Sequence, residues 1–207
     1  MKKLLATGFE PFDGYSVNPS DELVKAINGR KIAGYDIVGA TLPLDYKTAL
    51  DTLEELLASH NPQVILCFGQ ATRAAISIER IAINALGTKR ADNYGNTPET
   101  DVIDVDAPAA YYANINPHRL VEALKDEGIP AYVSYHAGTY GCNWLLFNIL
   151  HRIATGKIHG RATFIHLLPL PSQALEKDKM ELATMPLENA VRAIEIVIQA
   201  LGSAEET

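Results

Sequence analysis

The sequence predicts an α/β fold: an open, mostly parallel twisted sheet with helices on both faces, an α/β/α sandwich. Three observations predict it. Apolar runs of strand length alternate with amphipathic helical stretches along the chain, the pattern of a sheet covered on both sides. Val64-Ile65-Leu66-Cys67-Phe68 is apolar at every residue, as a central parallel strand requires. Asn18-Pro19 and Asn116-Pro117 each precede an apolar helical stripe, and Asn as N-cap with Pro at the first helical position is a helix start.

The elements follow in order. Residues 3–7 read as a first strand, followed by a loop rich in Gly and Pro. The helix from Asn18-Pro19 carries Leu23, Val24 and Ile27 on one face and stops at Gly29. Residues 35–42 predict a strand, and residues 46–59 a helix with Leu50, Leu53, Leu56 and Leu57 on one face. After the central strand, residues 74–84 alternate as a single strand whose parity slips at Glu79-Arg80, predicting a bulge there. Residues 85–115 are polar and turn-rich, with a short strand read at 102–105. The second Asn-Pro opens a helix bearing Leu120, Val121 and Leu124 that ends near Gly128. Residues 131–135 form a strand, 136–141 a loop, 143–154 a helix and 163–167 a strand. A terminal helix spans 187–201, and residues 202–207 read as a frayed tail. No linker, internal boundary or repeat is visible, so residues 1–207 are expected to form one domain.

Composition narrows the function. The 207 residues are 47% hydrophobic and 21% charged, with a formal net charge of −7. Such a chain has no electrostatic reason to bind nucleic acid or an acidic membrane surface. No segment reaches the roughly 20 apolar residues of a membrane span, and the charged start reaches Gly8 and Glu10 too soon for a signal-peptide core. A cytoplasmic location is expected. The two cysteines, Cys67 and Cys142, are expected to be free thiols there. No C-x-x-C or H-E-x-x-H spacing offers a metal site, and no G-x-S-x-G, G-x-G-x-x-G or Walker A pattern appears.

Two strand-to-loop junctions carry reactive side chains, where open α/β sheets place their sites. In Ser134-Tyr135-His136-Ala137-Gly138-Thr139-Tyr140-Gly141-Cys142-Asn143, a strand runs into a small-residue turn and Cys142 starts an amphipathic helix. The positive end of a helix dipole favours a thiolate, and its free N–H groups suit an oxyanion. The plainer alternative, a small buried apolar residue, is the reading adopted for Cys67. In Thr163-Phe164-Ile165-His166-Leu167, His166 ends an apolar strand, either as an imidazole serving a thiol as base and acid or as a hydrogen-bonded core histidine. His136, inside the cysteine loop, competes for that role. Glu79, between Ile78 and Ile81, admits three readings: turned to solvent by the bulge, paired with a nearby arginine, or orienting a catalytic imidazole. Asp92 is a second acid available for the last part.

Five segments together resemble the pyroglutamyl peptidase I (pyrrolidone carboxyl peptidase) family of cysteine peptidases. They are Gly8-Phe9-Glu10-Pro11-Phe12 with Asn18-Pro19, Phe68-Gly69-Gln70-Ala71, Ile78-Glu79-Arg80-Ile81-Ala82-Ile83-Asn84, Ala137-Gly138-Thr139-Tyr140-Gly141-Cys142-Asn143, and Phe164-Ile165-His166-Leu167. They run in the family's order over nearly the whole chain. The resemblance implies hydrolysis of N-terminal pyroglutamyl residues from peptides, with Cys142 as nucleophile, His166 as acid and base, and Glu79 orienting the imidazole. It further implies that Phe9 and Phe12 contact the pyrrolidone ring, that Gln70 and Arg90 lie by the oxyanion, that no cofactor is needed, and that the protein is a homotetramer.

Some positions depart from the family pattern. Gly141 stands where a bulkier apolar residue is usual and is a further candidate for the ring pocket. The usual Arg-Ile-Pro-Asp-Asn is shortened to Arg90-Ala91-Asp92-Asn93, and the run after His166 also differs. Two other readings share the architecture: a non-enzymatic redox-sensing or ligand-binding module, and a nucleoside-binding, phosphorylase-like domain.

Overall fold

The computed structural model describes residues 2–87 and 89–203. In chain order the elements are β1 (Lys2–Phe9), α1 (Pro19–Ile27), β2 (Lys31–Ile32), β3 (Tyr35–Leu42), α2 (Ala49–His60), β4 (Val64–Gln70), β5 (Ile76–Glu79), β6 (Ile81–Ile83), β7 (Ala110–Tyr112), α3 (Pro117–Asp126), β8 (Ala131–Ser134), α4 (Gly141–Ala154), β9 (Arg161–Leu167), α5 (Pro171–Glu176) and α6 (Leu187–Ser203).

Seven strands make one sheet in the order β2-β3-β1-β4-β9-β5-β8. Pairings β3–β1, β1–β4, β4–β9 and β5–β8 are parallel, whereas β2–β3 and β5–β9 are antiparallel. The all-apolar run at 64–68 is the buried interior strand expected of it. Its residues split by parity: Val64, Leu66 and Phe68 pack into one core with α1, α3 and α6, while Ile65 and Cys67 pack into the other with α2 and α4. The sheet is therefore covered on both faces, an α/β/α sandwich.

Both Asn-Pro starts behave as capping chemistry dictates. The Asn18 side chain accepts a hydrogen bond from Ser20 N at 3.0 Å, and Asn116 does the same for His118 N at 3.1 Å. The second helix begins at Ala49, because residues 46–48 form a turn in which Asp45 accepts from Lys47 N and Thr48 Oγ1. Helix α4 starts at Gly141, two residues before expectation. The short helix α5 was not anticipated, and α6 extends through Gly202 to Ser203. The rest of the expected frayed tail, residues 204–207, lies outside the described residues.

The strand read over 74–84 is in fact two strands in different sheets. After Glu79 the chain leaves the main sheet, and β6 pairs with β7 in a separate antiparallel ribbon. Asn143, buried in the first turn of α4, holds the end of this ribbon. Its Oδ1 accepts from Ile83 N at 2.9 Å, and its Nδ2 donates to Ile83 O at 2.8 Å and Ala85 O at 3.0 Å. The side chain substitutes for a neighbouring strand. Residues 102–105 are likewise not a strand, because Asn84 captures them as a loop: its Oδ1 accepts from Ile103 N and Asp104 N, both at 3.0 Å. Asn143→Ala should leave three backbone groups without partners and cost about 2–4 kcal/mol, read as a lower urea midpoint at unchanged m-value.

Candidate active site

Alternation along the sheet decides which side chains meet. On β9, Ile165 and Leu167 join the core of α1, α3 and α6, while Ala162 and Phe164 join that of α4; His166 shares the α4 face. On β5, Ile76 and Ile78 face the first core, so Ser77 and Glu79 also point toward α4. Register completes the set, with His166 opposite Gly69 of β4 on one side and Ser77 of β5 on the other.

Helix α4 brings the sulfur to this face. Tyr140 is its extended N-cap and Gly141 its first residue, which puts Cys142 in the first turn. The turn before it passes through Gly138 at φ +85°, a conformation that favours glycine. Gly69 lies directly beneath the sulfur: a Cβ there would come within 2.9 Å of Cys142 Sγ and 2.8 Å of Phe164 Cζ. The resulting cavity of about 340 Å³ is lined by Cys142, His166, Phe12, Gln70, Arg73 and Arg90, together with Gly87 and the turn at residues 137–140. A second cleft of about 580 Å³ shares Phe12, Gln70, Ala71 and Arg90 and continues to Tyr15, Lys177 and Lys179.

Glu79 is 0% exposed and His166 4% exposed. The Glu79 Oε1–His166 Nδ1 distance is 2.8 Å, and Oε1 also accepts from Arg73 Nη1 at 2.8 Å. The acid is therefore not turned to solvent; it pairs with an arginine and at the same time meets the His166 imidazole. The arginine is Arg73, a residue that nothing local in the sequence singles out. Its Nη2 donates to His136 O at 2.9 Å, and its Nη1 also contacts Ser77 Oγ. Asp92 does not touch His166. It accepts instead from the backbone N–H groups of Tyr46, Tyr94 and Asn96. His136 is exposed, and its Nδ1 accepts from Gly138 N at 2.7 Å.

Burial sets the protonation states. It works to raise the Glu79 pKa, but the hydrogen bond and charge of His166, with Ser134 and Arg73, outweigh it and hold the carboxyl below its ordinary value. For His166 burial dominates and lowers the pKa, against the hydrogen bond and charge of Glu79, with the Arg73 charge adding to the fall. Near neutral pH the imidazole is neutral and the carboxylate ionised. An ionised carboxylate only accepts, so Nδ1 carries the proton and Nε2 keeps its lone pair. Burial, then the Glu79 charge, push the Cys142 thiol up to about 12, against Arg73, Arg90 and a backbone hydrogen bond. Desolvation thus opposes the thiolate that the helix terminus favours, at a cysteine that is itself only partly buried. The helix terminus is outweighed by desolvation, and the resting pair is thiol and neutral imidazole.

The remaining sequence candidates divide. Phe12, Gln70 and Arg90 line the cavity. Arg90 stacks 4.0 Å over Tyr140 and 5.9 Å from the Phe12 ring centroid, and its Nη2 lies 2.6 Å from Asp13 Oδ2. Gln70 Oε1 accepts from Gln173 Nε2 at 2.9 Å. Phe9 and Gly141 are buried and do not line the cavity. A Cβ at Gly141 would meet Leu44 Cδ1 at 2.5 Å and Phe9 Cζ at 3.8 Å. Leu44 thus occupies the volume that a larger residue at 141 would need.

Comparison with known proteins agrees over the full length. The pyroglutamyl peptidase family model matches residues 2–204. The pyrrolidone-carboxylate peptidase of Bacillus subtilis is 38% identical over 206 residues, covering 99% of this chain and 94% of the relative. That of Thermosipho africanus is 41% identical over 200 residues, covering 96% of each. Among solved structures, the pyrrolidone carboxyl peptidase of Thermococcus litoralis superposes with a TM-score of 0.94 at 36% identity, over 100% of this chain and 96% of that one. Pyroglutamyl peptidase I of Bacillus amyloliquefaciens gives 0.91 at 39% identity, over 97% and 95%.

The thiols generate a stability prediction. Burial raises both Cys67 and Cys142 from an ordinary value of 9.0 to about 12. The unfolded chain therefore releases these protons first, and the stability they contribute is complete below pH 9 and lost as pH rises from there to about 12. The urea midpoint should fall over that window, and less steeply in Cys67→Ala. Iodoacetamide should label Cys142 slowly near neutral pH and faster as pH rises, while fully buried Cys67 reacts only on unfolding.

Proposed function

The chain belongs to the pyroglutamyl peptidase family and is an enzyme of it, and we propose that it removes N-terminal pyroglutamyl residues from peptides through Cys142, His166 and Glu79. One observation carries the reading: Cys142 and His166 line a single cavity, and His166 is hydrogen-bonded behind it to a buried, ionised Glu79.

The chemistry follows from the protonation states. His166 Nε2 takes the thiol proton as the sulfur attacks the exocyclic carbonyl carbon of the pyroglutamyl residue, so the thiolate forms when it is used. The C–S bond forms, and the carbonyl oxygen becomes an oxyanion facing the N-terminal N–H groups of α4 and the Gln70 amide. Imidazolium, stabilised by Glu79, then protonates the departing amine as the C–N bond breaks. Water, deprotonated by His166, attacks the thioester and releases pyroglutamate, returning the proton to sulfur. A pyroglutamyl end is a neutral lactam without a free amine, suited to a small pocket with an aromatic wall such as Phe12. The adjoining cleft toward Lys177 and Lys179 gives the leaving peptide a path.

The same reading takes residues 1–207 as one peptidase domain, assembled as a homotetramer. Both cysteines are free, which suits the reducing cytoplasm in which we place it.

Release of a fluorophore from a pyroglutamyl amide tests the proposal. Wild type should turn over and Cys142→Ala should not; undiminished activity in that variant would falsify the nucleophile. Glu79→Gln should lower kcat by about 100-fold or more, since the imidazolium loses its counter-charge. Protonation of His166 removes the base, so kcat/KM should fall with decreasing pH along a limb centred below the ordinary 6.5. A limb centred above that value would contradict the neutral resting imidazole.

A further inference from the structure

We propose that Gln173 is a positioning residue: it fixes which way the Gln70 side-chain amide points and so aims the N–H₂ of Gln70, rather than its carbonyl, at the cavity. The inference rests on the peptidase reading, because it gives that amide the role of oxyanion donor.

The start of α5 fixes the first amide. Leu170 is its N-cap, Pro171 its first residue and Gln173 its third, N3. A Gln at N3 reaches back to the N-cap N–H as one arm of a capping box, and here Leu170 N donates to Gln173 Oε1 at 2.8 Å. A backbone N–H can only donate, so the atom it meets must be the amide oxygen. The nitrogen end is fixed independently: Gln173 Nε2 donates to Val17 O at 3.1 Å, and a backbone carbonyl can only accept. Gln173 is 0% exposed, and its amide is oriented by two partners whose own roles cannot be reversed.

The orientation passes to the next amide. The same Nε2 donates to Gln70 Oε1 at 2.9 Å. Facing a donor, Gln70 must present its oxygen, and its Nε2 is turned the other way. That nitrogen has no hydrogen-bond partner among the described residues, and Gln70 lines both the catalytic cavity and the adjoining cleft. The backbone is held as well, with Ala71 N donating to Leu167 O at 3.0 Å. Released from Gln173, the Gln70 amide has two nearly isosteric orientations. One of them points a carbonyl oxygen at the developing negative charge, which reverses the sign of the interaction.

Gln173→Glu separates positioning from mere support of the fold. A glutamate at N3 still accepts from Leu170 N and is favoured there, but its ionised carboxylate has no proton to offer Gln70. Gln70 then turns its N–H₂ toward residue 173. On a pyroglutamyl amide, at the alkaline side of the pH profile, kcat should fall about 100-fold, as for loss of one oxyanion donor, with KM changed only a few-fold. Toward acid pH the protonated side chain can donate again, and the deficit relative to wild type should narrow. Gln70→Ala should lose a similar factor. In that background Gln173→Glu should change kcat by less than about 3-fold, because the amide it misdirects is gone.

Gln173→Met, neutral and of similar length, should give a smaller loss that likewise vanishes in the Gln70→Ala background, and it serves if the glutamate variant folds poorly. Losses that multiply between positions 70 and 173, or a Gln173→Glu enzyme with wild-type kcat across the profile, overturn the inference while leaving the peptidase reading intact. A wild type without turnover overturns both.

Discussion

A carboxylate sealed inside an α/β sheet is costly unless donors meet it, and Glu79 meets two. Arg73 and His166 both lie 2.8 Å from the same oxygen. The rest of the site is arranged around that arrangement. The antiparallel insertion of β5 against β9 sets Ser77 opposite His166 and so brings the acid beside the imidazole. Arg73, half-buried, reaches in from the preceding loop and spans to the backbone of the cysteine loop at His136. One anion thereby ties His166 on β9, the loop before Cys142 and its own strand β5 into one unit. Removing either donor would leave a buried charge under-compensated, so the three side chains act together.

Much of this was legible in the sequence, because local rules and strand parity sufficed. The Asn-Pro caps, the central apolar run and the terminal amphipathic helix stand where their patterns indicated. Cys142 at a helix start and His166 at a strand end could be singled out for the same reason. The slip of parity at Glu79-Arg80 was a true signal with a larger meaning than a bulge. It marks the point where the chain leaves the main sheet for the β6–β7 ribbon, which the Asn143 side chain ties to α4.

What could not be read depends on contacts distant along the chain. Nothing near Asn143 announces that its amide will replace a strand some 60 positions earlier. Arg73 and Gln173 are ordinary polar residues locally, and only the fold reveals that each orients a group in the cavity. Two of the departures from the family pattern resolve in the same way. Leu44, from a separate segment, fills the volume vacated at Gly141. The shortened Arg90-Asn93 segment still docks, since Asn93 Nδ2 donates to Glu10 Oε1 at 2.9 Å and to Pro11 O at 2.8 Å. The helix start at Cys142 is visible in sequence, whereas the desolvation that opposes a thiolate there is not.

In the proposed reaction the sulfur stays protonated until a substrate carbonyl arrives, which has a consequence beyond turnover. Hydrogen peroxide reacts with thiolates and hardly at all with thiols. An enzyme that stored its nucleophile ready-ionised would be inactivated whenever oxidant levels rose, while one that ionises it only during attack exposes the vulnerable species briefly. The desolvation that pushes the Cys142 thiol up to about 12 leaves little thiolate for such an oxidant between turnovers.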